Sequence, residues 1–119
     1  MDKIEIQHQQ GISILKILGD IEGDDGFHIL DMIRGSIEEN LPFWIMDMPE
    51  TRFMDSTALE VFLRILKDLK KRKGDLILTA ITPELEEILN ITRLSTKLKK
   101  YPNIDKAIEK IFQTQPGDK

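Results

Sequence analysis

Apolar and polar residues alternate in Ile4-Glu5-Ile6-Gln7, the period-two pattern of a half-exposed strand. Gln9-Gln10-Gly11 is a turn signal, with His8 in the turn beside that edge strand. Ile12-Ser13-Ile14-Leu15-Lys16-Ile17-Leu18 follows as a more apolar strand. The short connection predicts an antiparallel hairpin. Beyond a loop with three glycines and four acids, Phe27, Leu30, Ile33, Ile37 and Leu41 make an i, i+3, i+4 stripe. It predicts a helix from about Phe27 to Glu39, ended by Asn40 and Pro42. Phe43-Trp44-Ile45-Met46-Asp47-Met48 is apolar on both faces except at Asp47. That pattern predicts a strand in the middle of a sheet, and Pro49 stops it. Ala58, Val61, Phe62, Ile65 and Leu69 form the stripe of a helix running to about Arg72, with Gly74 as its expected C′ stop.

Leu76–Ile81 reads as a further strand. Thr82-Pro83-Glu84 joins a cap, a proline at the first helical position and a first-turn acid. The helix it opens should reach about Leu89, with Leu85, Ile88 and Leu89 inward. A short strand near Leu98–Tyr101 comes next. Asn103 caps a last helix that turns Ile104, Ala107, Ile108 and Ile111 inward. Residues 1–112 are thus expected to form one α/β domain. Its sheet is mixed, with an N-terminal antiparallel hairpin, and about four helices pack against it. Residues 113–119 form a polar C-terminal tail.

The candidate chemistry lies between the central strand and the helix after it, in Phe53-Met54-Asp55-Ser56-Thr57-Ala58-Leu59. Two hydroxyls and a carboxylate sit where the helix has unpaired N–H groups and a partial positive charge. Thr57 and Glu60 have capping-box spacing. That reading makes Thr57 the cap and leaves Ser56 one residue outside the helix, facing solvent. A hydroxyl there can be a cap, a nucleophile or a phosphate acceptor.

Charge and composition narrow the function classes. Net charge is −4 over 119 residues, but residues 1–60 hold thirteen acids and four bases, against eight and thirteen in residues 61–119. Arg64, Lys67, Lys70, Lys71, Arg72 and Lys73 fit the solvated face and last turn of a helix. No aromatic residues interleave with them, which argues against nucleic acid as a partner. The absence of cysteine excludes disulfides, thiolate metal sites and thiol nucleophiles. No apolar run approaches the ~20 residues needed to span a bilayer. The start Met1-Asp2-Lys3-Ile4-Glu5 does not resemble a signal peptide. A cytoplasmic protein with no membrane partner is expected.

This order of elements, with these residues, resembles the STAS domain of bacterial anti-sigma factor antagonists, over roughly residues 4–112. Residues 53–59 resemble the family's phosphorylation loop: an Asp-Ser pair, a small hydroxyl or Ala, then Gly or Ala, then Leu. Gly19-Asp20-Ile21-Glu22 and Ile81-Thr82-Pro83 support the match. Ala58 and Glu60 stand where relatives often carry Gly, and Glu22 where Asp is usual. The loop Gly23-Asp24-Asp25-Gly26 and Thr92-Arg93-Leu94, where Ser/Thr-Gly-Leu is frequent, are atypical.

The resemblance implies a non-enzymatic switch without cofactor. The unmodified protein would bind a kinase-type anti-sigma factor through Asp20, Glu22, Asp55, Ser56, Thr57 and Glu60, and so release a sigma factor. That serine kinase would phosphorylate Ser56, and an opposing serine phosphatase would reverse the step. The acting form would be a monomer or weak dimer. The resemblance equally allows an unphosphorylated scaffold subunit of a stress-signalling complex or of a phospholipid-transport system.

Other readings fit less of the chain. A receiver domain would use Asp24-Asp25 and Asp47, but Asp47 lies inside the apolar run and the opening hairpin does not suit a wholly parallel sheet. Asp20, Glu22 and Asp24 have the spacing of the first EF-hand ligands. However, Gly26 falls one place late, a strand precedes the loop, and Asp31 stands where the terminal Glu belongs; no metal site is expected. Hydrolase chemistry lacks a Gly-x-Ser-x-Gly setting around Ser56, and only His8 and His28 could serve as base.

Overall fold

A computed structural model describes residues 3–36 and 41–113. Its elements are β1 (Ile4–Gln9), β2 (Ile12–Ile17), α1 (Asp25–Ser36), β3 (Phe43–Asp47), α2 (Ser56–Lys71), β4 (Asp75–Thr79), α3 (Pro83–Ile91), β5 (Lys99–Tyr101) and α4 (Ile104–Gln113). The sheet order is β1-β2-β3-β4-β5. β1 runs antiparallel to β2, and every other pairing is parallel. The fold is the expected α/β one, with a mixed sheet and β3 at its centre.

Period two along the strands divides the core. Leu15, Ile17, Trp44, Met46, Leu76 and Leu78 pack with α1, α2 and α3. Ile12, Ile14, Ile45 and Ile77 pack on the other face with Ala107, Ile108 and Ile111 of α4. Helices on both faces are why β3 reads as apolar throughout. Its one acid, Asp47, sits at the strand end and accepts the Thr79 hydroxyl at 2.7 Å.

Four details correct the expectations. His8 lies inside β1, opposite Ser13, with its Nδ1 3.2 Å from the Ser13 hydroxyl. Gln10 and Gly11 both take positive φ, at 55° and 84°, so a two-residue turn suffices and β1 extends to Gln9. Helix α1 begins at Asp25, and Phe27 is exposed while Gly26, Ile29, Leu30 and Ile33 form the buried face. A Cβ on Gly26 would lie 3.2 Å from the Ala58 Cα, so the two helix starts approach closely and α1 turns Phe27 outward. Ile37, Glu39 and Asn40, expected at the end of this helix, lie outside the described residues.

The fourth correction concerns Gly74. Helix α2 closes with Lys73 in the left-handed region at φ 66°. The Lys73 N–H donates to the Lys70 carbonyl at 3.0 Å and the Gly74 N–H to that of Leu69 at 2.8 Å, which is a Schellman closure. Gly74 is therefore the residue after C′. It must be small because a Cβ there would fall 1.7 Å from the Pro42 carbonyl oxygen. Asn103 does cap α4, accepting the Lys106 N–H at 2.8 Å. Of the expected tail, Gln113 ends α4 and the remainder lies outside the described residues.

Candidate functional site

Three loops meet at the C-terminal ends of the parallel strands. The first, after β2, leads through Gly19–Asp24 into α1. The second, Met48–Asp55, joins β3 to α2. The third carries Thr82 into α3. Backbone pairing joins the first two: Ile21 N–H donates to the Phe53 carbonyl, and Asp55 N–H to that of Ile21, each at 3.1 Å. The Thr51 hydroxyl donates to the Gly19 carbonyl, and the Thr82 hydroxyl to that of Thr51, each at 2.7 Å. Thr82 also caps α3 through the Leu85 N–H at 3.1 Å, as expected.

The predicted acids divide into two groups. Asp20 and Asp55 serve the backbone. Asp20 Oδ1 accepts the N–H groups of Arg52 and Phe53 at 2.8 and 3.1 Å. Asp55 is the N-cap of α2: its Oδ1 accepts the Ala58 N–H at 2.9 Å, and its Oδ2 accepts the Gly23 N–H at 2.8 Å. Glu22 and Glu60 are exposed.

This geometry corrects the Thr57 cap. Asp55 wins that role because one carboxylate closes both the helix end and the neighbouring loop. Ser56 becomes the first residue of α2 and is exposed; Thr57 is the second and half-buried. Among the described residues, neither hydroxyl has a hydrogen-bond partner. Glu60 lies four residues on from Ser56, on the same helical face.

Lys3 is a site residue that the sequence does not signal. Its ammonium meets Asp25 Oδ2 at 2.7 Å and also donates to the Asp20 carbonyl. The hydrogen bond from Lys3 holds the Asp25 carboxyl below its ordinary range, helped by the Glu22 N–H and outweighing the effect of burial. A cleft of about 460 Å3 opens beside the loops, lined by Asp20, Glu50, Arg52, Thr82 and Glu84 among others. Among the described residues no group of three His, Cys, Asp or Glu side chains could hold a metal ion. No helix there is long and apolar enough to cross a membrane.

The family model described as STAS domain matches residues 3–107. The chain belongs to the STAS domain family. One relative of this STAS domain is an anti-sigma F factor antagonist of Paenibacillus polymyxa. It is 24% identical over 106 residues, covering 85% of this chain and 87% of the relative. Protein TM1081 of Thermotoga maritima superposes with a TM-score of 0.84 at 18% identity, covering 92% of this chain and 94% of that one. The anti-sigma factor antagonist SpoIIAA in its unphosphorylated form gives 0.80 at 16% identity, covering 95% and 99%. Its phosphorylated form from Bacillus gives 0.71 at 16% identity, covering 91% and 98%.

Proposed function

We propose that this STAS domain is an anti-sigma factor antagonist switched by phosphorylation of Ser56. The observation that carries the reading is an exposed serine hydroxyl, free of internal partners, at the first position of a helix whose cap and flanking loops are locked. The names of the relatives support it. Among the described residues neither imidazole is hydrogen-bonded to Ser56: the His8 ring meets the Ser13 hydroxyl, and the His28 ring has no hydrogen-bond partner. With no base of its own, the hydroxyl is unsuited to nucleophilic catalysis and suited to being a substrate.

In this reading the unmodified domain binds a kinase-type anti-sigma factor and frees its sigma factor. Glu22, Ser56, Thr57 and Glu60 face the partner, while Asp20 and Asp55 hold the loop from beneath. The partner's base takes the Ser56 proton, Oγ attacks the γ-phosphorus of ATP, and ADP leaves. The phosphate adds about −1.5 to −2 charges, against about half a positive charge at the helix end. Repulsion from Glu60 and desolvation then weaken the complex without refolding. A serine phosphatase resets the switch by hydrolysis. The test is to incubate the protein with ATP and each anti-sigma factor serine kinase of the source genome, then map phosphate by mass spectrometry. Phosphate on Ser56 is expected. Binding without any phosphate would favour an unmodified scaffold, and neither binding nor phosphate would reject the reading.

A further inference from the structure

Two partly exposed aromatic side chains lie on the segments that meet at the start of α2. Phe53 is 45% exposed and Phe27 is 47% exposed. Phe53 lies three residues before Ser56. Its N–H donates to Asp20 Oδ1 at 3.1 Å and its carbonyl accepts the Ile21 N–H at 3.1 Å. With its backbone held on both sides, the ring projects from a fixed base. Phe27 follows Gly26, which packs against Ala58, two residues beyond Ser56. The exposed carboxylates Glu22, Asp24 and Glu60 lie on the same loops and first turn of α2. Asp20, Asp25 and Asp55 are engaged internally.

We infer that Phe53 and Phe27 are the apolar anchors on which the anti-sigma kinase docks, through an apolar pocket bordered by lysine and arginine. The inference rests on the proposed partner-switch reading. Two observations favour a protein occupant of this chemistry. Aromatic anchors within a polar rim are the usual carriers of binding energy at protein interfaces, and a ring on a locked backbone loses little freedom on binding. The acidic rim calls for a basic complement. Ser56 follows Phe53 by three residues and opens the helix whose Ala58 packs against Gly26, the neighbour of Phe27, so docking on these segments brings its hydroxyl to the partner's nucleotide.

The test measures the affinity of the kinase that binds the wild-type chain, together with KM and kcat for phosphorylation of Ser56. Phe53→Ala should weaken binding at least about tenfold and raise KM with kcat little changed. Phe27→Ala should weaken it about threefold or more. Lys71→Ala, exposed at the far end of α2, is the surface control. Circular dichroism should match wild type and melting curves should shift only slightly, because about half of each residue is already exposed. If wild type binds and both Phe variants bind equally well, the anchors are wrong while the switch stands. If wild type binds no kinase in the panel, both readings fall. If wild type dimerises in sedimentation velocity and Phe53→Ala makes it monomeric with kinase affinity intact, the patch belongs to a second copy and the inference is overturned.

Discussion

Asp55 and Gly23 are joined by a 2.8 Å hydrogen bond between residues thirty-two positions apart. The same carboxylate caps α2 at the Ala58 N–H, 2.9 Å away. One side chain therefore fixes the orientation of the Ser56 helix relative to the acidic loop. Asp55→Ala loses both bonds and should cost about 2–3 kcal/mol, a cap plus a charge-assisted hydrogen bond. Asp55→Asn keeps a capping oxygen but not the second acceptor, and should cost about 1 kcal/mol. Urea denaturation with an unchanged slope reads both values. An Asp55→Ala midpoint equal to wild type would mean that the bridge contributes nothing.

Thr57→Ala should change stability by less than about 0.5 kcal/mol, because the half-buried Thr57 has no hydrogen-bond partner to lose among the described residues. The sequence offers three capping residues in a row, Asp55, Ser56 and Thr57. Local spacing favours Thr57 because Glu60 completes a box. What decides for Asp55 is its second oxygen reaching Gly23, a contact between distant segments that no local pattern encodes. The order of elements along the chain and β3 as centre are legible because they follow from periodicity, whereas Ser56 is exposed as the first residue of α2 and not, as a Thr57 cap would have it, one place outside the helix. A loss of about 1 kcal/mol or more in Thr57→Ala would return the cap to Thr57.

Helix ends give a second contrast between pattern and packing. Gly74 looks like a left-handed stop, yet Lys73 takes that conformation, and Gly74 is required by the Pro42 carbonyl. Helix α3 ends in the same way: Arg93 has φ 64°, and the Leu94 N–H donates to the Leu89 carbonyl at 2.9 Å. Arg93→Gly should therefore stabilise by roughly 0.5–1 kcal/mol, by relieving left-handed strain. Gly74→Ala should destabilise by about 3 kcal/mol or more, because backbone must move to admit a methyl. Thermal and urea melts of the two variants should shift in opposite directions. A neutral Gly74→Ala would show that the approach to Pro42 relaxes freely.

The Lys3–Asp25 pair sets a pH dependence. Asp25 titrates below its ordinary value of 3.8 in the folded state, chiefly because Lys3 donates to it. A carboxyl depressed on folding adds stability that is fully present above the unfolded value and is lost as pH falls through the folded one. Lys3→Gln should thus be less stable than wild type near neutrality, and the two curves should converge as pH falls below 3.8. Because the pair is partly exposed, added salt should shrink the difference. A constant difference from neutrality to pH 2–3 would assign the effect to the Asp20 carbonyl contact instead.

Ser56 and Glu60 test charge as the switch itself. Ser56→Asp places a carboxylate at the first position of α2, where it should stabilise the fold by about 0.3–1 kcal/mol through the helix dipole. The same charge faces Glu60 one turn on and should weaken kinase binding, whereas Ser56→Ala should bind like wild type. Stability and affinity then move in opposite directions, which a damaged fold cannot produce. Glu60→Gln removes the standing negative charge while preserving helix propensity. It should recover part of the affinity lost in Ser56→Asp, most clearly at low salt, where surface charges are least screened. Calorimetry on wild type, the three single variants and the Ser56→Asp/Glu60→Gln double variant completes the cycle. Additive effects would mean that the two charges act on the partner independently. Equal affinity of wild type, Ser56→Ala and Ser56→Asp would mean that charge at this helix end does not gate binding, and phosphorylation would lose its proposed role.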